Sequence, residues 1–355
     1  MKDEYPDVKQ DLYGAFVLRG TQLANSLGLL AIVIGDTWMS IKSFESLRLH
    51  LLDGHAFCSF VHMRDVSNHP DIFGANAAFV LSRGRNRGRR VPFVRLTPIG
   101  SERKEQGLRV ALAERAESAG YYLASGEDFA AIPGHPIVYW LSENLRGVFA
   151  LPAIGSRYQA KAGPGTRDDQ IFMRLHWEVG RRGVGRSKKW LLTDKAGEFR
   201  KWYAGCSYVM DWEDDGRRIR NHINPDGSLK SRPQNTQFMF REGVTWGKVG
   251  SGETSFRWRP AGFGFNDAAP AIFGDHPFGL LGPLNSATAT LLLAATGSTL
   301  NVQTGMIVDL PFGDAGTHEV DEIAEQLVSG SSLDWDSQET SWDFESNPLI
   351  ALARG

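Results

Sequence analysis

The sequence predicts two folded parts of different class, an α/β part followed by a β-rich α+β part. Three observations predict them. Over residues 1–156 the apolar residues switch between helical spacing and short continuous runs, the signature of alternating helices and strands. From Ile171 to Phe273 the pattern turns irregular, with aromatic stretches such as QFMFREGVTW and TSFRWR that suit strands. Charge divides the chain too. Residues 157–259 carry 21 Lys and Arg against 12 Asp and Glu, a net of +9, and residues 260–355 carry one against 13, a net of −12. A basic middle is what an anionic partner requires; the alternative is that the two regions pair with each other.

The elements follow in order. Asp11 to Leu23 places Leu12, Phe16 and Leu23 at helical spacing, which predicts a helix with those residues inward. The run LGLLAIVIGDTWM, opened by Gly28, predicts a strand buried on both faces, as in a parallel sheet. Ser43 reads as an N-cap, and Phe44, Leu47, Leu51 and Leu52 as the inner face of the next helix. Ala56 to Met63 and Ala77 to Leu81 are strand candidates. SRGRNRGRR (82–90) reads as a basic loop, and Leu108 to Ala119 as a helix. AKAGPGTRDD (160–169) is a loop and the predicted domain boundary. Leu280 to Ala295 reads as one helix despite Pro283. The acidic, Ser-rich stretch from Asp314 reads as a linker or tail. The organisation predicted is thus 1–160, 161–313 and 314–355.

Composition excludes several functions. Cys58 and Cys206 are the only cysteines and lie far apart, and the nine histidines show no paired metal spacing. A disulfide framework and a zinc site are therefore not expected, and a reducing cytoplasm is. The longest apolar run, Leu27 to Ile34, is too short to span a bilayer, and the charged N-terminus has no signal-peptide core. No catalytic constellation can be read from spacing. DWEDDG (211–216) clusters four acids, for which a solvated turn outweighs a magnesium site. The glycine pairs Gly183/Gly185 and Gly262/Gly264 neither follow a clear buried strand nor open a helix, so neither is a credible nucleotide loop. His69-Pro70 and His135-Pro136 read as turns. Asp36 and Trp38 follow the apolar strand, at the edge where α/β proteins place ligands; a core position is the alternative for Trp38.

Phe199 to Trp246 is the most informative stretch, because aromatic, basic and amide residues alternate there at high density. Arg and Lys neutralise phosphates, rings stack on bases, and Gln and Asn bond adenine edges. The alternative is a twisted β domain with a polar surface.

Several blocks resemble the PglX-type adenine-specific DNA methyltransferases of BREX phage-defence systems, N6-adenine enzymes of the gamma class. They include DVKQDLYGAFVLRG (7–20), IGDTWMSIKSFESLR (34–48), GTRDDQIFMRLHWE (165–178), FRKWYAGCSYVMDWEDDG (199–216), SRPQNTQFMFREGVTWGKV (231–249), LNSATATLLLAATGSTLNVQTGMIVDLPF (284–312) and WDSQETSWDFESNPLI (335–350). The resemblance implies that residues 1–160 are the C-terminal half of a Rossmann-like methyltransferase sheet and 161–313 a target-recognition domain. It implies S-adenosylmethionine as the family's cofactor. It implies double-stranded DNA, other BREX proteins or the remaining half of the methyltransferase as partners. Such enzymes hold the cofactor on an acidic glycine loop and the flipped adenine on Asn-Pro-Pro-Tyr. Neither occurs in this sequence, so the chain is expected to begin after the catalytic motif, to end before the family's C-terminal region and to be inactive alone.

By the same resemblance, Asp36 and Trp38 fall near the active-site edge. Phe79 would offer a face to the flipped base, unless it is core. Gln234 and Asn235 are of the types that bond adenine, and Arg232 of the type that reads guanine. Lys230, Lys248, Arg257 and Arg259 suit phosphates. Turn-capping after Pro233 is the alternative for the two amides. The function implied is part of a site-specific DNA adenine N6-methyltransferase, mainly its target-recognition portion. The alternatives are a DNA-specificity module without chemistry, and an interaction subunit that uses its acidic tail as a handle.

Overall fold

Phe79, Phe60 and Phe93 face one another across three neighbouring strands and organise the first half of the chain. In this computed structural model the described residues are 5–8, 11–64, 74–84, 88–250, 252–297, 301–313 and 318–350. They form two compact units, Met1–Leu151 with Ala294–Thr299, and Pro152–Leu293 with Leu300–Gly355. The division falls before the predicted loop boundary, because residues of AKAGPGTRDD already belong to a strand of the second unit.

In the first unit, α1 (Leu12–Leu23) starts at Asp11, whose side chain accepts a hydrogen bond from Tyr13 N. The expected inner face is the outer one: Leu12, Phe16 and Leu23 are exposed, whereas Gly14, Ala15, Val17 and Thr21 are buried. The helix packs through small residues because space is short; a Cβ on Gly14 would lie 2.8 Å from Val8 Cβ. Next come β1 (Leu29–Gly35), α2 (Glu45–Gly54), β2 (His55–Arg64), β3 (Ala75–Arg83) and β4 (Val91–Arg95). They are followed by α3 (Lys104–Glu114), β5 (Tyr121–Ala124), α4 (Gly126–Ala130) and α5 (Glu143–Gly147). The sheet order is β1-β3-β2-β4-β5, and only β2 and β4 run parallel.

This is a mixed α/β sheet, and β1 is an antiparallel edge strand, not the doubly buried parallel strand expected. Its outer face leaves Leu29 and Val33 more than 60% exposed. Ser43 sits inside a 3-10 turn, Lys42–Phe44, and α2 starts after it with no side-chain cap. Phe44, Leu47, Leu51 and Leu52 are buried as predicted. α3 stops at Arg115, which turns left-handed (φ 51°), and Glu117–Ala119 is a separate 3-10 turn. His135 occupies a turn with φ 53°, while His69-Pro70 and residues 85–87 of the basic loop lie outside the described residues.

Register explains the aromatic core. Phe60 pairs with Phe79 on β3 and with Phe93 on β4, so the three rings line one face of the sheet. Phe60 stacks on Phe79 with centroids 5.7 Å apart and planes 9° apart, and on Phe93 at 4.9 Å. The buried Arg48 ties the loop after β1 to a distant turn, donating to Trp38 O, Ile41 O and Gly134 O at 2.6–2.8 Å. Burial lowers its guanidinium pKa to about 10.

The second unit has two four-stranded sheets. One has the order β11-β10-β13-β6, from β6 (Gln159–Lys161), β10 (Gly243–Trp246), β11 (Phe256–Arg259) and β13 (Ala271–Phe273). The other has the order β12-β8-β9-β7, from β7 (Met173–Leu175), β8 (Trp190–Asp194), β9 (Tyr208–Asp211) and β12 (Gly264–Phe265). Short helices α6 (Asp169–Phe172) and α7 (Glu213–Arg220) flank the second sheet in sequence. Gly163 lies hard against β12; a Cβ there would come within 2.5 Å of Phe265 O.

The single helix expected over Leu280–Ala295 is two, α8 (Pro277–Leu284) and α9 (Ala287–Thr296), bent by 75°. At the bend, Asn285 Oδ1 accepts from Phe256 N (3.0 Å) and its Nδ2 donates to Phe256 O (2.9 Å). The side-chain amide thus completes the edge of β11. After α10 (Thr304–Val308) comes α11 (His318–Asp336), which packs on α8 and buries Ala324 and Val328. From His318 to Asp336 the acidic stretch is therefore a packed helix, not a linker. Among the described residues no single helix is long and apolar enough to cross a membrane.

Candidate nucleic-acid interface

In the second unit the segment 161–168 runs alongside 230–235. Gly165 and Arg232 form an antiparallel bridge. Gln234 Nε2 donates to Gly163 O (3.0 Å) and Asn235 Nδ2 to Ala162 O (2.9 Å). Asn235 holds a left-handed conformation, φ 53°, which Asn tolerates better than most residues. Lys230 Nζ bonds Asp168 Oδ2 at 2.9 Å, and that contact holds the Asp168 pKa below the ordinary carboxylate value. Two amides and one ion pair thus fasten a ribbon from which Arg232 projects, exposed.

The two amides close the loop instead of presenting free edges, so the turn-capping alternative describes their contacts. Arg257 and Arg259 are corrected more sharply. Both lie on β11 and are only 7% and 1% exposed, so neither is on a surface that meets a duplex. Arg259 donates to Phe263 O and Arg241 O and lies over the rings of Phe265 and Phe273. Its Nε stands 3.7 Å from Asp194 Oδ2. Burial raises the pKa of Asp194 despite the pull of Arg259 and Arg257, and lowers that of Arg259. Lys248 is half-buried, with its backbone bonded to Ala268 and Val302.

Cations that the sequence reading passed over complete the ribbon. Residues 181–189, RRGVGRSKK, hold five Lys and Arg and no acid, and all five are exposed. Arg186 lies over the Phe240 ring at 4.8 Å. Arg241 and Lys161 lie over Phe238 at 5.3 and 5.6 Å. Rings on the 238–240 turn thus gather the adjacent Arg241 and cations from two segments distant in sequence, Lys161 and Arg186. The charge density of 181–189 is legible in the sequence.

Three of the four acids of DWEDDG are paired locally. Asp211 pairs with Arg218, Asp214 with Arg217, and Asp215 with Arg220. Asp214, Asp215 and Gly216 take successive left-handed conformations. Among the described residues no three His, Cys, Asp or Glu are grouped to hold a metal. Neither glycine pair fits a nucleotide loop: Gly183 ends a 3-10 turn, and Gly264 is a strand residue whose Cβ would meet Thr193 Oγ1 at 2.7 Å. The S-adenosylmethionine expected from the resemblance therefore finds no fitting loop at these positions.

In the first unit, Asp36 follows β1 and reaches His62 Nε2 at 3.1 Å. His62 Nδ1 lies 3.1 Å from the Tyr139 hydroxyl. A carboxylate only accepts, so His62 donates through Nε2, and in a neutral imidazole its Nδ1 would accept from Tyr139. Burial pushes the Tyr139 pKa far up, which keeps that proton in place. Trp140 stacks on His62, and Arg95 lies over Trp140 at 4.8 Å. These residues line a cavity of about 200 Å³. Trp38 is fully buried beneath, 5.2 Å from Phe79. Phe79 is 3% exposed between Trp38 and Phe60, so it has no free face for a base. Of the three expected edge residues, only Asp36 reaches the cavity.

No protein-family model matches the chain. Over 98% of its length it is 29% identical to the adenine-specific methyltransferase PglX of Lacticaseibacillus casei (strain Zhang), and 30% identical to the adenine-specific methyltransferase BrxX of Escherichia coli O9:H4 (strain HS). It spans 30% and 29% of the length of those two proteins. Among solved structures, the Type IIL restriction-modification enzyme MmeI in complex with DNA matches 99% of this chain with 50% of its own, at 10% identity and a TM-score of 0.60. That last likeness is one of fold.

Proposed function

Because this chain is homologous to the PglX and BrxX adenine-specific methyltransferases, we propose that it is the target-recognition portion of such an enzyme and binds double-stranded DNA through its second unit. The observation that carries the reading is the set of exposed cations Arg186, Lys188, Arg232 and Arg241, of which Arg186 and Arg241 lie over rings of the 238–240 turn and Arg232 is fixed by its bridge to Gly165. Cations on a fixed ribbon neutralise phosphates and release counterions. Arg232, an exposed cation whose backbone N and O both bond Gly165, is well placed to enter a groove and bond guanine.

The first unit contributes part of the methyltransferase sheet, with Asp36, His62, Arg95 and Trp140 around a polar cavity. S-adenosylmethionine and the flipped adenine require motifs that this sequence lacks, so the chain alone transfers no methyl group. The test is binding of the full chain to duplex DNA across a salt series. With four phosphates neutralised, log K falls against log salt with a slope of about −3 to −4. Undetectable binding at low salt, or binding without salt dependence, overturns the reading.

A further inference from the structure

A cavity of the second unit is lined by none of the exposed cations Arg186, Lys188, Arg232 and Arg241. It measures about 550 Å³ and opens between the loop after β8, the loop before β9 and the end of α11. Its size is that of a small-molecule site, about 300–1,000 Å³. Arg257 lines it. That side chain is 7% exposed, and its buried Nε has no hydrogen-bond partner among the described residues. Nor does any hydrogen bond join the rest of its guanidinium to a described protein acceptor. A buried donor without an acceptor, such as this Nε, is costly, and such groups in native proteins are normally satisfied by a ligand, ion or water.

Asp194 and Glu198 also line the cavity. Asp194 acts on both Arg257 and Arg259; it lies 3.7 Å from Arg259, and its Oδ1 accepts from Cys206 Sγ at 3.6 Å. Burial biases that carboxyl toward its neutral form, and Glu198 is exposed. Of the other lining cations, Lys195 pairs with Asp169 at 2.9 Å, and Arg200 pairs with Asp334. Among the described residues Arg257 is thus the lining cation without an ion pair.

The walls offer flat faces as well as charge. Trp177 and Phe199 line the cavity, each more than half exposed, alongside Tyr208 and Trp335. Tyr208 and Trp335 are occupied by Lys195 and Arg200, at 4.6 and 5.1 Å. Lys201 lies over Phe199 more loosely, at 6.0 Å, and Trp177 and Phe199 retain exposed surface for a planar ring. Aromatic rings stack on any base without regard to its identity, and guanidinium is the side-chain group best matched to phosphate.

We propose that this cavity binds a nucleoside 5′-phosphate, with its phosphate on Arg257 and its base against Trp177 and Phe199. The site is independent of the ribbon proposed to bind duplex DNA. The ligand's source is either a free nucleotide or a nucleotide extruded from bound DNA, since both present the same groups.

Calorimetry on the full chain with adenosine 5′-monophosphate, adenosine and inorganic phosphate tests it. Saturable binding of the monophosphate is expected, with adenosine and phosphate each about 10-fold weaker or more, the loss of one charge-assisted or stacking contact. Arg257→Gln removes the phosphate partner. Gly197→Leu fills the cavity from an exposed loop position beside Arg257 while keeping every buried charge; a Cβ there would stand 3.8 Å from Arg257 Nη1, an ordinary contact. Both variants are expected to lose monophosphate binding about 10-fold or more, with the circular dichroism of Gly197→Leu unchanged. Displacement of a fluorescent monophosphate by saturating duplex identifies the DNA as the source, and retention identifies a free nucleotide. No binding by the parent chain, equal binding by a folded Gly197→Leu, or adenosine or phosphate binding as tightly as the monophosphate overturns the proposal.

Discussion

Gly165 and Arg232 exchange both backbone hydrogen bonds, Arg232 N to Gly165 O at 2.7 Å and Gly165 N to Arg232 O at 2.9 Å. The pair fixes the peptide from which an exposed guanidinium extends, so that contact with DNA orders only a side chain. Replacing Arg232 by Ala is expected to change sequence preference at one position of a randomised duplex pool, by about 1–3 kcal/mol. Replacing Arg186 or Lys188 by Ala is expected to weaken all sequences alike and to reduce the salt slope by about 0.9 each. Selection and sequencing of bound DNA separates the two effects. Uniform loss from Arg232→Ala would make it a phosphate contact.

Asn235 closes the ribbon by its amide and by its left-handed backbone. Asn235→Ala removes the hydrogen bond to Ala162 O and strains φ, with an expected loss of about 2 kcal/mol of stability in the second unit. Asn235→Gly relieves the strain and loses about half as much. Urea unfolding monitored by tryptophan fluorescence checks the order. Equal midpoints for the two variants would remove the backbone part of the explanation.

Removing one partner of a buried charge pair costs more than the pair contributes. Arg259→Ala leaves Asp194 in an apolar setting and deletes donors to Phe263 O and Arg241 O. The expected loss is about 3–5 kcal/mol. Asp194→Asn is expected to cost less, because the native carboxyl is already biased toward neutrality. Thermal unfolding of both variants measures this, and a larger loss from Asp194→Asn contradicts it.

His50 and His55 lie with rings 5.2 Å apart, and burial holds both below the ordinary imidazole value of 6.5. The unfolded chain therefore takes up protons more readily than the native first unit as pH falls through that value. Their contribution to stability is full above pH 6.5 and is lost as the pH drops through the lowered folded values. Between about pH 7.5 and 5.5 the urea midpoint is expected to fall, and to fall less in His50→Gln/His55→Gln. An unchanged pH dependence in the double variant assigns the effect to other groups.

Large apolar residues at regular spacing were the readable part of this fold. Phe44, Leu47, Leu51 and Leu52 gave one helix face correctly, and the aromatic stretches gave β10 and β11. The face of α1 was misread because it packs through Gly14, Ala15 and Val17, and a reading weighted toward large side chains turns such a helix around. Arg257 and Arg259 were read as surface cations because long charged residues are seldom enclosed. Their burial comes from sheet pairing and a carboxylate some 60 residues earlier, and neither appears in local sequence. Asp36 was found from its place after a strand. Its partners were not, because His62 lies 26 residues away and Tyr139 a further 77, and no spacing rule links them.

Asn285 stands where a neighbouring strand would, offering Phe256 one donor and one acceptor from a side chain. A sheet edge satisfied in this way has nothing at that residue for a foreign peptide to zip onto. Substituting Asn285 with Leu would keep the bulk and free both groups at once. The expected consequence is concentration-dependent association through β11, seen as turbidity or a rising sedimentation coefficient in a chain that still folds. One amide would then govern how this protein behaves in a crowded solution more than how tightly any single molecule is held together.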